Sequence, residues 1–375
     1  MYKKYLTNEQ FNFQINRFLE PYYTDDNVQQ TIKENAEKLV NEESWYRVWN
    51  QLGLKTEKKG RNDLAAAYYQ LADFFLAEED IRKEQTYAAF QRTFYTSIAQ
   101  VQIKFETVPY AGMLLPIARF SHPGATKTLI FHGGFDSYLE EIIRLTLTSG
   151  LLQLKDYNII LFEGPGQGRV LKDGFPMTHA WEKPIKAILD YYQIDAAVLL
   201  GMSLGGYLAV RAAAFEPRIK KVIAFDVYYS MLDSFTMKLS PPQARTALTK
   251  IANPAIASKI DAALTEAAKS NIDLAFKIRK GNEVMQTHNA SELIKAAQQY
   301  TLKGCEKKVT QDVLLLAGNQ DLYVPTSTIA LVAKKLVNAK SVTQFLFTEK
   351  SGGERHCQVG NKQIAFEKII SFLEK

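Results

Sequence analysis

A strand-turn-helix stretch centred on Ser203 constrains the fold of this chain more than any other feature. Residues 196–200 form an apolar run of strand length, and residues 207–214 have the composition of a helix. The turn between them carries Gly201 and Gly205 two positions before and after the serine, where a sharp strand-to-helix turn requires small residues. Such a turn exposes the serine hydroxyl at a helix N-terminus, where unpaired N–H groups can stabilise a developing negative charge. The pattern therefore predicts that Ser203 is a nucleophile.

The bulk composition excludes several classes of function. The chain has 375 residues, 46% of them hydrophobic, which suits one large domain with an appendage. Its 46 basic and 40 acidic residues form no basic stripe, so no nucleic-acid partner is predicted. No signal peptide is visible, and no apolar run reaches the roughly 18 residues of a membrane span. Cys305 and Cys357 have no metal spacing and are predicted to be free thiols, so we expect a cytoplasmic protein without a metal site or membrane contact.

Hydrophobic periodicity divides the chain into a helical N-terminal part and an α/β part. Residues 1–100 carry apolar side chains at three- and four-residue spacing, which predicts a helical domain. Beyond them we predict eight strands, the first two as an antiparallel hairpin. The predicted strands are 101–107, 113–119, 127–131, 158–162, 196–200, 221–226, 312–317 and 342–347. Because the later strands alternate with helical stretches, the predicted fold class is α/β, with a mostly parallel sheet covered by helices on both faces.

One long stretch interrupts the alternation of strands and helices. Residues 228–308 contain helix-like pieces separated by proline- and glycine-bearing breaks, and no convincing strand. Such a length is too great for a loop in a compact domain, so we predict a helical cap over the carboxyl edge of the sheet. The predicted domains are a helical N-terminal domain (1–100), the first part of an α/β core (101–227), the cap (228–308) and the second part of the core (309–375).

A serine nucleophile needs a base, which is usually a histidine held by a carboxylate. Of the five histidines, His356 lies in a glycine-bearing loop between the last predicted strand and the last predicted helix, on the same sheet edge as Ser203. Asp321 is the first carboxylate after the seventh strand, and it gives the order Ser, Asp, His that this type of turn predicts. Asp226, at the end of the sixth strand, is the alternative acid. The sequence therefore predicts Ser203, Asp321 and His356 as a catalytic triad.

The loop after the third strand is predicted to stabilise an oxyanion. One backbone donor is expected to be the N–H of Leu204, the residue after the nucleophile, and the other the N–H of Gly134 or Phe135. His132 is expected to fix that loop through a hydrogen bond. The glycine-rich residues 163–168 lack the lysine and Ser/Thr of a phosphate-binding loop, so a tight turn is predicted there instead.

Five segments together resemble α/β-hydrolases: HGGFDSYLEE, FEGPGQGR, GMSLGGY, GNQDLYVP and RHCQVG. With the helical segment in front of them, they are similar to the group that includes the fermentation-respiration switch protein, 2,6-dihydroxypseudooxynicotine hydrolase and acylaminoacyl-peptidase-like proteins. The resemblance covers most of residues 60–375. It implies an α/β-hydrolase fold, Ser203 as nucleophile, Asp321 as acid, His356 as base, and a homodimer formed through the helical domain.

The expected activity is a serine hydrolase that cleaves an ester, a thioester or an amide. Members of the resembling group also cleave C–C bonds, so a hydrolase of diketone-like substrates is an alternative, as is an acylaminoacyl- or dipeptidyl-peptidase-like activity. A non-catalytic regulatory protein on the same scaffold is the alternative from another class. The substrate is expected to be a small molecule or a short peptide, with no cofactor. Aromatic side chains near the expected pocket indicate an apolar or aromatic substrate group, or packing of the cap: Tyr138, Tyr228, Tyr229, Phe235 and Tyr323, with Met231 beside them.

Overall fold

The computed structural model describes residues 1–237, 239 and 241–375. The strands are β1 (Lys104–Tyr110), β2 (Met113–Phe120), β3 (Lys127–His132), β4 (Tyr157–Phe162), β5 (Ala197–Met202), β6 (Ile219–Phe225), β7 (Asp312–Gly318) and β8 (Ser341–Phe347). The α-helices are α1 (Glu9–Leu19), α2 (Asp26–Ala36), α3 (Glu42–Glu57), α4 (Asn62–Phe74), α5 (Lys83–Ser97), α6 (Leu139–Thr148), α7 (Gly168–Lys172), α8 (Glu182–Tyr191), α9 (Leu204–Ala213), α10 (Asp233–Thr236), α11 (Pro241–Lys250), α12 (Pro254–Ala268), α13 (Ile272–Met285), α14 (Ala290–Ala297), α15 (Thr328–Lys335) and α16 (Lys362–Leu373). In this described part of the chain, no helix combines the length and the apolarity needed to cross a membrane.

The strands form one eight-stranded sheet in the order β1-β2-β4-β3-β5-β6-β7-β8. Strand β2 pairs antiparallel with both β1 and β4, and all other neighbours pair in parallel. Each of the eight predicted strands is present within three residues at either end. The predicted α/β fold, with its mostly parallel sheet and its opening hairpin, is therefore confirmed.

The centre of the sheet determines where the chemistry-bearing residues lie. Strands β5, β6 and β7 are adjacent and parallel, and every residue of β5 is buried. Burial on both faces explains why these strands are continuous apolar runs instead of alternating ones. Because parallel strands end at the same edge of a sheet, the segments that follow Met202, Phe225 and Gly318 begin side by side. Ser203, Asp226 and Asp321 lie in those three segments.

The chain divides into two compact units, and the first comprises Met1–Gln102 and Ala263–Lys280. Its core is aromatic: the ring of Phe11 lies 4.5 Å from that of Trp45 and 5.2 Å from that of Phe75. Phe276, from the later segment, stacks on Phe74 at 4.9 Å. Within the same unit, Arg279 forms an ion pair with Glu42 at 2.8 Å. These contacts explain why part of the predicted cap belongs to the N-terminal helical unit.

The second unit comprises Ile103–Ala262 and Gly281–Lys375 and contains the whole sheet.

In the predicted cap, residues 228–308, the structure has helices α10 to α14 and one isolated bridge between Ser230 and Thr301. Lys238 and Ser240, which the cap prediction also covers, lie outside the described residues. The predicted domain bounds stay predictions.

Helix α1 buries polar side chains that hold the chain's first residues. Asn16 Oδ1 accepts from the N–H of Lys3 at 2.8 Å, and Asn12 Oδ1 accepts from the N–H of Tyr5 at 2.7 Å. The amide groups of both asparagines also donate to the Lys3 carbonyl, at 2.8 and 3.0 Å. These bonds give partners to the backbone N–H and C=O groups of a half-buried segment. The polar face of α1 is therefore a buried face.

Candidate active site

The turn at Ser203 is strained and depends on the glycines around it. Ser203 has φ 62° and ψ −131°, a backbone conformation that residues with a Cβ rarely adopt. It is held there by a 2.6 Å hydrogen bond from its N–H to the Phe225 carbonyl. A Cβ at Gly201 would collide with the Gly205 carbonyl, and a Cβ at Gly205 would lie 2.5 Å from the carbonyl oxygen of Gly133. The small residues of the motif are thus required by close backbone contacts.

A chain of hydrogen bonds joins the three residues predicted as a triad. Ser203 Oγ lies 2.8 Å from His356 Nε2, and His356 Nδ1 lies 2.6 Å from Asp321 Oδ2. The other oxygen of Asp321 accepts from the N–H groups of Tyr323 at 2.6 Å and Val324 at 2.9 Å. The carboxylate is therefore held in place from its own loop while it faces the imidazole.

Asp226, the alternative acid, also contacts His356. Its Oδ2 lies 3.2 Å from His356 Nδ1, compared with 2.6 Å for Asp321. The same oxygen accepts from the N–H of Cys357 at 2.7 Å, and Oδ1 accepts from Gln358 Nε2 at 3.1 Å. Asp226 thus anchors the backbone that follows His356, whereas Asp321 makes the shorter bond to the imidazole.

The pKa values of the Asp226 and Asp321 carboxyl groups are shifted in opposite directions. Burial raises the pKa of Asp226 to about 6. For Asp321, burial acts in the same direction, but the positive charge of His356 outweighs it and holds the pKa below its usual range. Burial by itself would lower the pKa of His356, yet the charge of Asp321 raises it well above 6.5. The site therefore stabilises the imidazolium, the form that a base reaches after accepting a proton.

The loop between β3 and α6 lies against the amide of Leu204. A Cβ added to Gly134 would lie 2.8 Å from Leu204 N, so this loop approaches the amide with no room for a side chain. The N–H of Gly134 donates to Ser137 Oγ at 2.9 Å and is already used. Among the hydrogen bonds of the described residues, none takes the N–H of Phe135 or of Leu204. Of the predicted oxyanion donors, Phe135 and Leu204 are therefore the available pair.

Replacing Gly134 by alanine is expected to lower kcat by about 10²–10³-fold, the typical loss for one oxyanion donor. The reason is that the added methyl group would press on Leu204 N and Met202 O, each 2.8 Å from the Cβ position. Steady-state kinetics with an ester substrate would measure the loss. Alanine at Gly124, where a Cβ would meet nothing within 4 Å, is the control for a glycine replacement outside the site, and its φ of +79° makes it the more strained replacement of the two. Equal kcat for the two variants would contradict the prediction.

His132 fixes the start of this loop, as the sequence predicts. Its Nδ1 lies 2.8 Å from the Gly133 carbonyl, and Trp181 Nε1 donates to its Nε2 at 3.2 Å. Since the indole N–H can only donate, Nε2 accepts and the ring proton lies on Nδ1, which donates to Gly133. Burial lowers the pKa of His132 to about 4, so the ring stays neutral. Neither Trp181 nor Ser137 was singled out from the sequence.

The tyrosines predicted near the pocket have different surroundings. The ring of Tyr323 lies 4.9 Å from that of His356, and the ring of Tyr228 lies 6.1 Å from it. The hydroxyl of Tyr229 donates to Glu306 at 3.0 Å instead. Tyr138 is the residue before α6 and is buried. Two of the four tyrosines therefore contact the imidazole edge-on.

One group of possible metal ligands overlaps this site. In the part of the chain that the structure describes, ligand atoms of Asp226, His356 and Cys357 lie within 4.8 Å of one another. The carboxylate accepts from the backbone N–H of Cys357, and burial raises the pKa of the Cys357 thiol. Since thiolate is the form that binds metals, this group fits a hydrogen-bonded arrangement better than a metal centre.

The part of the chain that carries most of the sheet matches a known family model. Residues 128–351 match the family model described as alpha/beta hydrolase fold, which is more than half of the chain. The chain belongs to the α/β-hydrolase family. Ser203 and Asp321 lie inside the matched span of this α/β-hydrolase, and His356 follows just after it.

Known proteins similar to this α/β-hydrolase are themselves named hydrolases. The alpha/beta hydrolase ucsC of an Acremonium species is 26% identical over 306 residues, which cover 70% of this chain and 60% of that protein. The 20-hydroxy-prefusarin hydrolase FUS2 of Gibberella moniliformis is 24% identical over 374 residues, covering 88% of this chain and 87% of that one. The crystal structure of 2,6-dihydroxy-pseudo-oxynicotine hydrolase superposes with a TM-score of 0.60 at 20% identity, over 88% of this chain and 86% of the other. The protein is therefore a hydrolase.

Proposed function

We propose that this α/β-hydrolase is a serine hydrolase that cleaves an ester, a thioester or an amide of a small molecule through an acyl-enzyme on Ser203. The observation that carries the proposal is the unbroken chain of hydrogen bonds from Ser203 Oγ through His356 to Asp321, with distances of 2.8 and 2.6 Å. An isolated serine hydroxyl is a weak nucleophile, and a base within hydrogen-bond distance is what activates it.

Each step of the reaction has a candidate residue. His356 Nε2 takes the Ser203 proton while Oγ bonds to the substrate carbonyl carbon, and the N–H groups of Leu204 and Phe135 bind the resulting oxyanion. The imidazolium then gives its proton to the leaving oxygen, sulfur or nitrogen, and the ester with Ser203 remains. A water molecule repeats the attack with His356 as base, which releases the acid and regenerates the serine.

The aromatic rings beside the imidazole support a small, partly apolar substrate. The rings of Tyr323 and Tyr228 lie 4.9 and 6.1 Å from the imidazole ring, so an apolar substrate group next to the reacting carbonyl would contact aromatic surface. The name of the Gibberella relative gives 20-hydroxy-prefusarin as the compound it acts on. The cytoplasmic location and the homodimer formed through the helical domain stay predictions.

A substrate panel tests the proposal. Wild-type protein and the Ser203→Ala variant would be assayed against p-nitrophenyl esters of increasing acyl length, aminoacyl p-nitroanilides and 1,3-diketones. We expect the wild type to hydrolyse esters and the variant to retain no activity above background. Ester hydrolysis that survives in folded Ser203→Ala protein would overturn the proposal, and turnover of the diketones alone would point to C–C bond hydrolysis.

A further inference from the structure

Gln167 lies in the glycine-rich turn after β4, for which the sequence predicts only a tight turn. Its side chain is 1% exposed and makes three hydrogen bonds to backbone. Nε2 donates to the carbonyl of Gly133 at 2.9 Å and to that of Gly134 at 2.8 Å. Oε1 accepts from the N–H of Gly164 at 2.9 Å, which leaves the amide oriented with both N–H groups toward the loop after β3. One buried side chain thus binds two successive carbonyls of the loop that faces Leu204.

These two bonds determine the direction of two N–H groups. A peptide group is planar and trans, so its N–H points away from its C=O. The Gly133 carbonyl points to Gln167, and the N–H of the same peptide, on Gly134, donates to Ser137 Oγ. The Gly134 carbonyl also points to Gln167, so the N–H of Phe135 points away from Gln167 and keeps no partner among the described hydrogen bonds. Gln167 therefore sets the orientation of the N–H that we propose as an oxyanion donor.

Glu163, at the start of the same turn, binds the far end of the loop between β3 and α6. Glu163 Oε1 accepts from the N–H of Leu139 at 2.6 Å, and its Oε2 accepts from the N–H of Arg169 at 2.8 Å. A Cβ at Gly168 would collide with the Glu163 carboxylate, so the turn closes tightly around this side chain. With Glu163 at Leu139 and Gln167 at the two glycines, the loop is held at both ends and has little freedom to rotate its peptide groups.

We propose that Gln167 is a positioning residue for the oxyanion hole, holding the Gly134–Phe135 peptide so that its N–H faces the oxygen of the substrate. This inference rests on the proposed function, since an oxyanion forms only if Ser203 attacks a carbonyl. A preorganised donor needs no reorganisation when charge develops, and a peptide group free to rotate loses that advantage. Gln167 is thus expected to matter for the transition state and little for the binding of the uncharged substrate.

The test compares Gln167→Met and Gln167→Glu with a matched control. Methionine keeps the length of the glutamine side chain but removes both N–H donors of its amide. Glutamate keeps the shape of the glutamine side chain but places an oxygen, which cannot donate when ionised, opposite the carbonyls of Gly133 and Gly134. Gln311→Met is the control: Gln311 is also buried and its Nε2 donates to a carbonyl, that of Ala213, at 2.8 Å, before β7 begins and away from the site. Rates would be divided by the amount of protein that reacts to completion with a fluorophosphonate, so that unfolded protein is not counted.

We expect both Gln167 variants to lose about 10–10²-fold in kcat, somewhat less than complete loss of a donor, with KM within about twofold of the wild type. The affinity for a trifluoromethyl ketone, whose adduct with serine carries the oxyanion, should fall by the same factor as kcat/KM. Gln311→Met should change neither quantity. Unchanged kcat and unchanged inhibitor affinity in folded Gln167 variants, or a loss confined to KM, would overturn the inference. Failure of the proposed function would show differently, as ester hydrolysis that survives Ser203→Ala.

Discussion

Replacement of His356 by alanine is expected to lower kcat by about 10⁶-fold, because members of a serine triad act as a unit and loss of the base costs nearly as much as loss of all three. The imidazole is the group that connects Ser203 Oγ, at 2.8 Å, with Asp321 Oδ2, at 2.6 Å. Among the described residues His356 is the base hydrogen-bonded to Ser203 Oγ, so its removal takes that proton acceptor away. Steady-state rates with the best ester of the panel would measure the loss.

His288 supplies the matched control for this replacement. It lies between α13 and α14, and no hydrogen bond of the described residues joins its imidazole to the triad. His288→Ala should therefore keep wild-type kcat. A His356→Ala variant that stays folded and retains more than a tenth of wild-type kcat would mean that another group activates Ser203.

Asp321→Asn is expected to lower kcat by about 10⁴-fold with the fold intact, since an amide in place of the carboxylate favours the wrong imidazole tautomer. The 2.6 Å contact with His356 Nδ1 would then join two potential donors, and the charge that raises the pKa of His356 would be gone. Rates measured on the alkaline plateau, where His356 is neutral, would isolate this loss from any shift in pKa.

Asp226→Asn is expected to shift the pH dependence of kcat/KM while leaving the value on its alkaline plateau unchanged. His356 must be neutral to accept the serine proton, so activity rises as the pH rises through the pKa of His356, which lies well above 6.5. The imidazole faces the carboxylates of Asp321 and Asp226, the hydroxyl of Ser203, the thiol of Cys357 and the phenols of Tyr228 and Tyr323. Removing the Asp226 charge, 3.2 Å from Nδ1, makes the imidazolium less stable and lowers its pKa. The acid limb should therefore move to lower pH.

The two aspartates can be compared in one experiment. kcat/KM would be measured for wild type, Asp226→Asn and Asp321→Asn from pH 5 to pH 10. A large plateau loss in Asp226→Asn together with a preserved plateau in Asp321→Asn would assign the triad carboxylate to Asp226.

Most of the fold could be predicted because the strands are long apolar runs separated by helical periodicity. The same argument selected Ser203, Asp321 and His356, since the ends of parallel strands meet at one edge, and the structure brings these three side chains together. Asp226 could not be separated from Asp321 by that argument. Both follow adjacent parallel strands, and it is the three-dimensional contacts that distinguish them, first of all the distances of 3.2 and 2.6 Å to Nδ1.

Features built from side-chain bonds to backbone could not be predicted. Helix α1 has a polar pattern, but Asn12 and Asn16 turn inward to bind the backbone of Lys3, so polarity does not mark its exposed face. Gln167 reaches two carbonyls more than thirty positions away in the chain, a contact that depends on the exact shape of two loops. The grouping of residues 263–280 with the N-terminal helices rests on ring packing such as Phe276 on Phe74, which leaves no periodic signal.

The most direct test of the central claim is to locate the covalent adduct. The folded protein would be treated with a fluorophosphonate, digested, and analysed by tandem mass spectrometry. A serine activated by His356 at 2.8 Å predicts one phosphonylated residue, Ser203, and no labelling in Ser203→Ala or His356→Ala protein. A folded wild-type protein that stays unlabelled from pH 6 to pH 10, or an adduct on a different residue, would contradict the account.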